Sequence, residues 1–262
     1  MSSVLLPSVA GMFYPEQADE LRQQVDSLLA ESPVPDEPPP KALIAPHAGY
    51  IYSGPVAASA YRRLLPAADS IERVVILAPS HRVPFRGLAT TSADYLRTPL
   101  GDIPVDRNAV DQALALPQVE EFDRAFEGEH ALEVQLPFLQ RSLNNFSIVP
   151  FIVGQANALE VGEVLDLLWG GEETLIVISS DLSHFLDYYT AREKDRHTTQ
   201  AIESLQPDAI GFDDACGRIP VSGLLVTAKE HGLHARTVDL RNSGDTAGDK
   251  SRVVGYGAYV FN

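Results

Sequence analysis

The chain is poor in several residue types, and each shortage excludes a class of protein or site. Its 262 residues include one cysteine, Cys216, so no disulfide can form within the chain. A zinc site built from two to four thiolates is excluded for the same reason. Low use of cysteine is typical of a reducing compartment, and we expect a cytoplasmic protein.

Positive charge is also scarce. Lysine and arginine together number 20, against 36 aspartate and glutamate residues, which gives a formal net charge of −16. A field of this sign repels phosphate backbones and anionic lipids, so we expect neither a nucleic-acid partner nor a membrane partner. The same charge balance suits solubility or a site that attracts cations.

Long apolar runs and several common motifs are missing. No stretch approaches the ~18–20 apolar residues of a membrane-spanning helix, and MSSVLLPSVAGMFYPEQADE at the start lacks the features of a signal peptide. The motifs G-x-S-x-G, G-x-x-x-x-G-K-[ST] and G-x-G-x-x-G do not occur. The sequence therefore does not support an α/β-hydrolase nucleophile or a phosphate-binding glycine loop.

The sequence does contain an alternation of two kinds of segment. Short, apolar, β-branched runs predict strands covered on both faces, at residues 42–45, 74–78, 148–153, 175–178, 237–240 and 253–261. Helical periodicity lies at residues 16–30, 56–65, 107–116, 132–143, 159–168, 188–205 and 221–231. This pattern predicts an α/β fold with a mostly parallel or mixed central sheet flanked by helices, in one domain over residues 1–262.

Two segments depart from this alternation. Residues 32–40 (SPVPDEPPP) include five prolines, which exclude a helix or a central strand and predict a stiff connector. Residues 88–105 are rich in threonine, glycine and proline and predict a hairpin.

Three of the seven histidines, His47, His81 and His184, come directly after a predicted strand. Open α/β sheets bind ligands beyond the carboxyl ends of their strands, so these side chains could converge on one site. A single histidine in this position is more often a loop residue, but three of them predict that at least two line one site. Asp245 follows the strand at residues 237–240 in a comparable position.

These residue types suit metal chemistry. Two histidines and a carboxylate with open positions form the ligand set of non-haem iron(II) enzymes. A histidine that is not a ligand could act as an acid or base. Asp181 could orient a histidine ligand or, equally, cap a helix, and Glu129 with His130 forms a further polar pair. Cys216 lies at a predicted helix start, where a thiol can be reactive, although a buried, inert thiol is the favoured interpretation.

Seven segments, in order over nearly the whole chain, resemble the Memo family, whose prokaryotic members are called AmmeMemoRadiSam system protein B. They are AGMFYP (10–15), PHAGYIYSG (46–54), APSH (78–81), TPLG (98–101), EHALEVQLPF (129–138), SSDLSH (179–184) and NSGD (242–245). The resemblance implies a fold similar to class III extradiol dioxygenases, which hold iron(II) with two histidines and a carboxylate.

The resemblance also implies roles for individual residues. His47 and His81 match the two metal-ligand histidines, and His184 matches the acid/base histidine. Animal members complete the site with a cysteine, and Cys216 lies in a different segment, so the nearest counterparts here are Asp245 and Thr246. We therefore predict Asp245 as the third ligand, which favours iron(II) or manganese over copper.

The remaining candidates come from the same matching segments. Asp181, Glu129 and His130 are candidate catalytic residues, and Tyr50, Tyr52 and Ser80 are candidate substrate contacts, where the tyrosines could instead simply pack.

The implied function is a mononuclear non-haem, metal-dependent oxidoreductase, dioxygenase-like, acting on an unknown small molecule or peptide. The metal is expected to be divalent, with iron(II) first and manganese, zinc or copper as alternatives. A catalytically silent binding or adaptor protein, and a hydrolase in which His184 or Glu129 activates a metal-bound water, are the competing interpretations. Prokaryotic members are typically encoded beside AMMECR1-like and radical SAM proteins, which implies a functional link with both.

Overall fold

A computed structural model describes residues 2–33 and 37–262 of the chain. The mixed α/β architecture is confirmed, with a central mixed sheet flanked by helices. Part of the predicted connector at residues 32–40 lies outside the described residues. No helix in the described part of the chain is long and apolar enough to cross a membrane.

The described residues form two sheets and eight α-helices. The strands are β1 (Val4–Leu5), β2 (Ala42–Ala45), β3 (Arg73–Pro79), β4 (Leu88–Thr90), β5 (Tyr95–Thr98), β6 (Gly101–Pro104), β7 (Val119–Glu121), β8 (Ser147–Val153), β9 (Thr174–Ser179), β10 (His184–Leu186), β11 (Ala235–Asn242) and β12 (Val253–Phe261). The helices are α1 (Ala18–Glu31), α2 (Tyr50–Tyr61), α3 (Arg107–Ala113), α4 (Leu136–Ser142), α5 (Ala158–Leu167), α6 (Tyr188–Glu203), α7 (Arg218–Glu230) and α8 (Ser243–Thr246). Short 3₁₀ helices cover Arg62–Ala67, Asp123–Phe126, Glu133–Gln135 and Pro207–Ala209.

The large sheet runs in the order β10-β12-β2-β9-β3-β8-β4-β7. A further strand, β11, lies off this order and pairs with the part of β12 that does not pair with β10. The centre of the sheet is parallel, because β2 pairs with β9, β9 with β3 and β3 with β8 in the same direction. The flanking pairs β12–β2 and β4–β8 are antiparallel. The carboxyl ends of β2, β9 and β3 therefore meet at one edge, where such sheets bind ligands.

Burial explains why these central strands form. Every residue of β2 and β9 is buried, as is all of β3 and β8 except the first residue of each. Helices cover the sheet in two packed groups, one of α1, α2 and α4, and one in which α5 packs on α7 and α7 contacts β3 and β9. Strands covered on both faces require apolar side chains at every position, which is the pattern in the sequence.

A smaller sheet, in the order β1-β5-β6, contains the hairpin expected within residues 88–105. Strands β5 and β6 pair in antiparallel fashion around a turn at residues 99–100, and Gly101, which begins β6 directly after it, has a φ of +126°. A residue with a Cβ rarely adopts this backbone conformation, so glycine is required at this position.

Candidate metal centre

Three donor side chains meet at the carboxyl edge of the large sheet. His47 follows β2, His81 follows β3, and Cys216 stands just before α7. One ligand atom from each lies within 4.8 Å of the other two. Cys216 Sγ is 3.3 Å from His47 Nε2, and the two imidazole centroids are 5.3 Å apart. Two imidazoles and a thiol in this arrangement could hold a metal ion.

The presence of Cys216 corrects the expectation that the site contains no cysteine. The Cys216 backbone N–H donates to Asp181 O at 3.2 Å, and the Asp181 N–H donates to Cys216 Sγ at 3.3 Å. These bonds join the loop before α7 to the loop after β9. Burial, and then the Asp181 carboxylate, raise the pKa of Cys216, so the neutral thiol is favoured unless a cation lies beside it.

Asp245, the expected third ligand, lies outside this cluster in the structure. Its side chain is exposed and accepts hydrogen bonds from Asn242 N at 3.1 Å and the Tyr188 hydroxyl at 2.6 Å. Asn242 and Asp245 form the capping box of α8, in which the acidic side chain turns back toward the helix start. The neighbouring Thr246 hydroxyl donates to Ser243 O, so neither counterpart is directed to the histidines.

Hydrogen bonds behind His47 determine which of its ring nitrogens carries the proton. Ser179 Oγ donates its only proton to Ala131 O at 2.6 Å, and it must therefore accept from His47 Nδ1, 2.8 Å away. The proton is thus on Nδ1, and Nε2 keeps the lone pair that faces Cys216. Burial, and then the neighbouring imidazoles, lower the pKa of His47 well below its ordinary value, which keeps the ring neutral.

Gln135 supports the same serine. Gln135 Nε2 is 3.0 Å from Pro46 O, and because a carbonyl oxygen can only accept, this contact fixes the orientation of the amide. The same nitrogen donates to Ser179 Oγ at 2.8 Å, and the Tyr61 hydroxyl donates to Gln135 Oε1 at 2.8 Å. A buried chain of hydrogen bonds therefore runs from Tyr61 to His47.

Glu129 holds His81 in a similar way. Its carboxylate accepts from His81 Nδ1 at 3.0 Å, from His81 N at 2.7 Å and from Ala131 N at 3.0 Å. Burial alone would raise the pKa of Glu129, but the hydrogen bonds and the charge of His81, with the backbone donors, lower it to about 2. The ionised carboxylate orients the ring and leaves His81 Nε2 for another partner.

His130 and Asp181 border the donor set. The His130 ring centroid is 4.9 Å from that of His81 and 5.4 Å from that of His47, and burial lowers its pKa. Asp181 is buried, its Oδ1 accepts from His47 N at 2.8 Å, and burial raises its pKa. The next element is strand β10, so Asp181 orients His47 and does not cap a helix.

His184 is not brought into the cluster. It is exposed in β10, its ring lies edge-on to Phe185 at 5.7 Å, and among the described residues it is not part of the donor group formed by His47, His81 and Cys216. Ser80 lies closer to the site. It lines a cavity of about 310 Å³ together with His81 and Cys216, although its hydroxyl donates to Val83 O.

The two tyrosines differ from each other. Tyr50 is buried and its hydroxyl donates to Val134 O at 2.7 Å, so it packs inside the fold and offers no group to a substrate. Tyr52, on the first turn of α2, is 39% exposed and does not line the cavity beside the cluster.

Sequence reasoning did not assign three of the residues that lie at this site to it. Ser179 and Gln135 lie inside the matching segments 179–184 and 129–138. The sequence therefore indicated that they lie near the site, but it did not indicate that they support His47. Cys216 lies in none of the matching segments, and its only signal was its place at a predicted helix start.

The comparisons with known proteins agree with one another. A family model described as "Memo-like protein" matches residues 6–260. The "MEMO1 family protein" of Aquifex aeolicus (strain VF5) is 37% identical over 97% of this chain and 98% of its own length. That of Ignicoccus hospitalis is 36% identical, with 97% of each chain covered.

Solved structures are also similar in fold, and one of them is that of an Escherichia coli protein. The crystal structure of uncharacterized protein JW3007 from Escherichia coli K12 has a TM-score of 0.57 at 12% identity and covers 84% of this chain and 98% of its own. At this identity the similarity concerns the fold alone.

Proposed function

Because the chain belongs to the Memo-like protein family, we propose that it is a metal-dependent oxidoreductase whose single non-haem metal ion is held by His47, His81 and Cys216. The observation that carries the proposal is the meeting of one donor atom from each within 4.8 Å. Both imidazoles have Nδ1 bound to a protein acceptor. Such support fixes the ring and leaves Nε2 free for a metal.

The donor set suits a borderline or soft transition metal. Imidazole binds iron, copper and zinc well, and a thiolate moves the preference away from manganese. The sequence-based preference for iron(II) over copper assumes Asp245 as a ligand, and with Cys216 as the third donor both metals fit the proposal. Bound there, iron or copper would supply a change of oxidation state beside the cavity.

The chain's own residues orient the donors. Ser179 and Glu129 fix the two rings, and Asp181 holds the backbone of His47. The ring of His130 borders both ligand histidines, although His130 does not line the cavity beside them, and its catalytic role stays a prediction. The proton-transfer role expected of His184 stays a prediction, and its exposed position in β10 does not favour it.

Metal-assisted hydrolysis is a second candidate, and Cys216 itself favours it. Thiolate and imidazole ligands also suit zinc, which activates water without redox chemistry. Glu129 is less suited to the role of water-activating base, because its carboxylate already accepts three hydrogen bonds from His81 and Ala131.

Metal analysis of anaerobically purified protein tests the proposal. We expect about one iron or copper per chain and reductant-driven dioxygen consumption that is lost after treatment with a chelator and restored by the metal. Stoichiometric zinc without dioxygen consumption would instead support hydrolysis. Failure to hold any of these metals, even after reconstitution, would contradict both candidates and leave the binding-protein alternative.

Ser179→Ala tests the support of His47. The substitution removes the acceptor for Nδ1–H, so the ring can move its proton to Nε2, and we expect the metal affinity to fall by about 10–100-fold. The measurement is a chelator competition, with thermal unfolding followed in parallel. Ser142→Ala is the matched control, because Ser142 is also buried and its Oγ has no hydrogen-bond partner among the described residues. Equal metal affinities of Ser179→Ala and Ser142→Ala would contradict the proposal that Ser179 orients His47 for the metal.

A further inference from the structure

The cavity of about 310 Å³ beside the donor cluster has an unusual lining for this protein. Its polar lining includes His81, Cys216 and Arg82 together with Ser80 and Gln155, and its apolar lining includes Phe85 and Ile219. The chain has 36 acidic residues, yet no carboxylate occurs among the described residues that line this cavity. Arg82 is therefore the residue of the described lining that carries a full charge, and the ionised Glu129 lies behind His81, where it is bonded to that residue.

Arg82 is the source of the charge in this lining. It directly follows the donor His81, it is exposed, and within residues 2–33 and 37–262 its guanidinium has no hydrogen bond or ion pair. Its side chain packs over Gly128, where an added Cβ would lie 3.4 Å from both Arg82 Cδ and Arg82 Nε. A guanidinium without a carboxylate partner, held at the wall of an apolar cavity, is suited to bidentate binding of an anionic group.

We propose that this cavity binds a small organic anion, in which a carboxylate or phosphate group on an apolar body pairs with Arg82. The apolar body lies against Phe85 and Ile219, as in ligand sites that combine a mostly apolar wall with a few polar groups. The inference rests on the proposed function, because it names the substrate class of that same site. A cationic ligand would face both Arg82 and the metal, and a polyanion would meet the −16 charge of the chain.

The test measures binding of three probes to the full-length protein by calorimetry, with and without its metal. Benzoate and phenyl phosphate carry the two kinds of anionic group, and benzyl alcohol is the neutral analogue. We expect at least one anion to bind, and Arg82→Gln to weaken it by about ten-fold or more, in both metal states. Arg82→Lys should retain part of the affinity, and the stronger of the two anions identifies the head group.

Arg86→Gln is the matched control, because Arg86 is also exposed but lines a different cavity. The proposal is overturned if the anions bind equally to wild type and Arg82→Gln, if benzyl alcohol binds as tightly as the stronger of the two anions, or if neither anion binds. Metal content measured on the same samples separates the two proposals. Arg82-dependent anion binding in a chain that takes up no transition metal contradicts the oxidoreductase, whereas one metal per chain without Arg82 dependence contradicts the anion site.

Discussion

Cys216→Ser is expected to lower the metal affinity by about 100-fold, whereas Asp245→Asn is expected to leave it unchanged. Four-ligand zinc sites bind with about 10–16 kcal/mol of apparent free energy, so one ligand contributes roughly 3 kcal/mol. A serine hydroxyl stays protonated near neutral pH and does not replace a thiolate. Asp245 serves as the matched control, because its carboxylate binds Asn242 and Tyr188 and lies outside the donor cluster.

Chelator competition measures the affinities, and cobalt substitution gives a spectroscopic signature of the thiolate. We expect a sulfur-to-metal charge-transfer band in the wild type and in Asp245→Asn, and its loss in Cys216→Ser. If Asp245→Asn loses the metal while Cys216→Ser keeps it, then the carboxylate is the third ligand and the proposed donor set is incorrect.

The centre of the large sheet was predictable because β2, β3, β8 and β9 are buried on both faces and so have a distinct composition. The predicted runs at 42–45 and 253–261 have the bounds of β2 and β12. Helix starts were less predictable. The helix expected from residue 56 begins at Tyr50 and includes Pro55. Because a proline is more often the first residue of a helix, the sequence did not indicate a helix that extends before it.

The position of His47 and His81 was predictable for a topological reason, since both follow parallel strands. The same argument failed for Asp245. It follows β11, which lies two strands from β2 in the sheet, as β3 does, so distance along the edge is not what separates it from His81. Its carboxylate instead turns back into the capping box of α8. Cys216 is 169 residues from His47 in the chain and reaches the site through the start of α7. Its place depends on how α7 packs on β3 and β9, which sequence periodicity does not encode.

Gly217→Ala is expected to destabilise the protein by about 1–3 kcal/mol and to lower the metal affinity nearly as much as Cys216→Ser. An added Cβ at Gly217 would lie 2.6 Å from Ser180 Cβ and 2.7 Å from Ser179 O. Both residues are buried, and the Gly217 N–H already donates to Ser180 Oγ at 3.0 Å. The loop before α7 must therefore move, and Cys216 moves away from His47 with it.

Thermal unfolding and chelator competition on the same variant measure the two effects. Gly49→Ala is the matched control near His47, because its Cβ would meet no atom closer than Phe13 O at 3.6 Å, which is an ordinary contact. We expect Gly49→Ala to bind metal as the wild type does. A Gly217→Ala variant that unfolds at a lower temperature but keeps wild-type metal affinity would show that the metal centre does not depend on the position that α7 gives to Cys216.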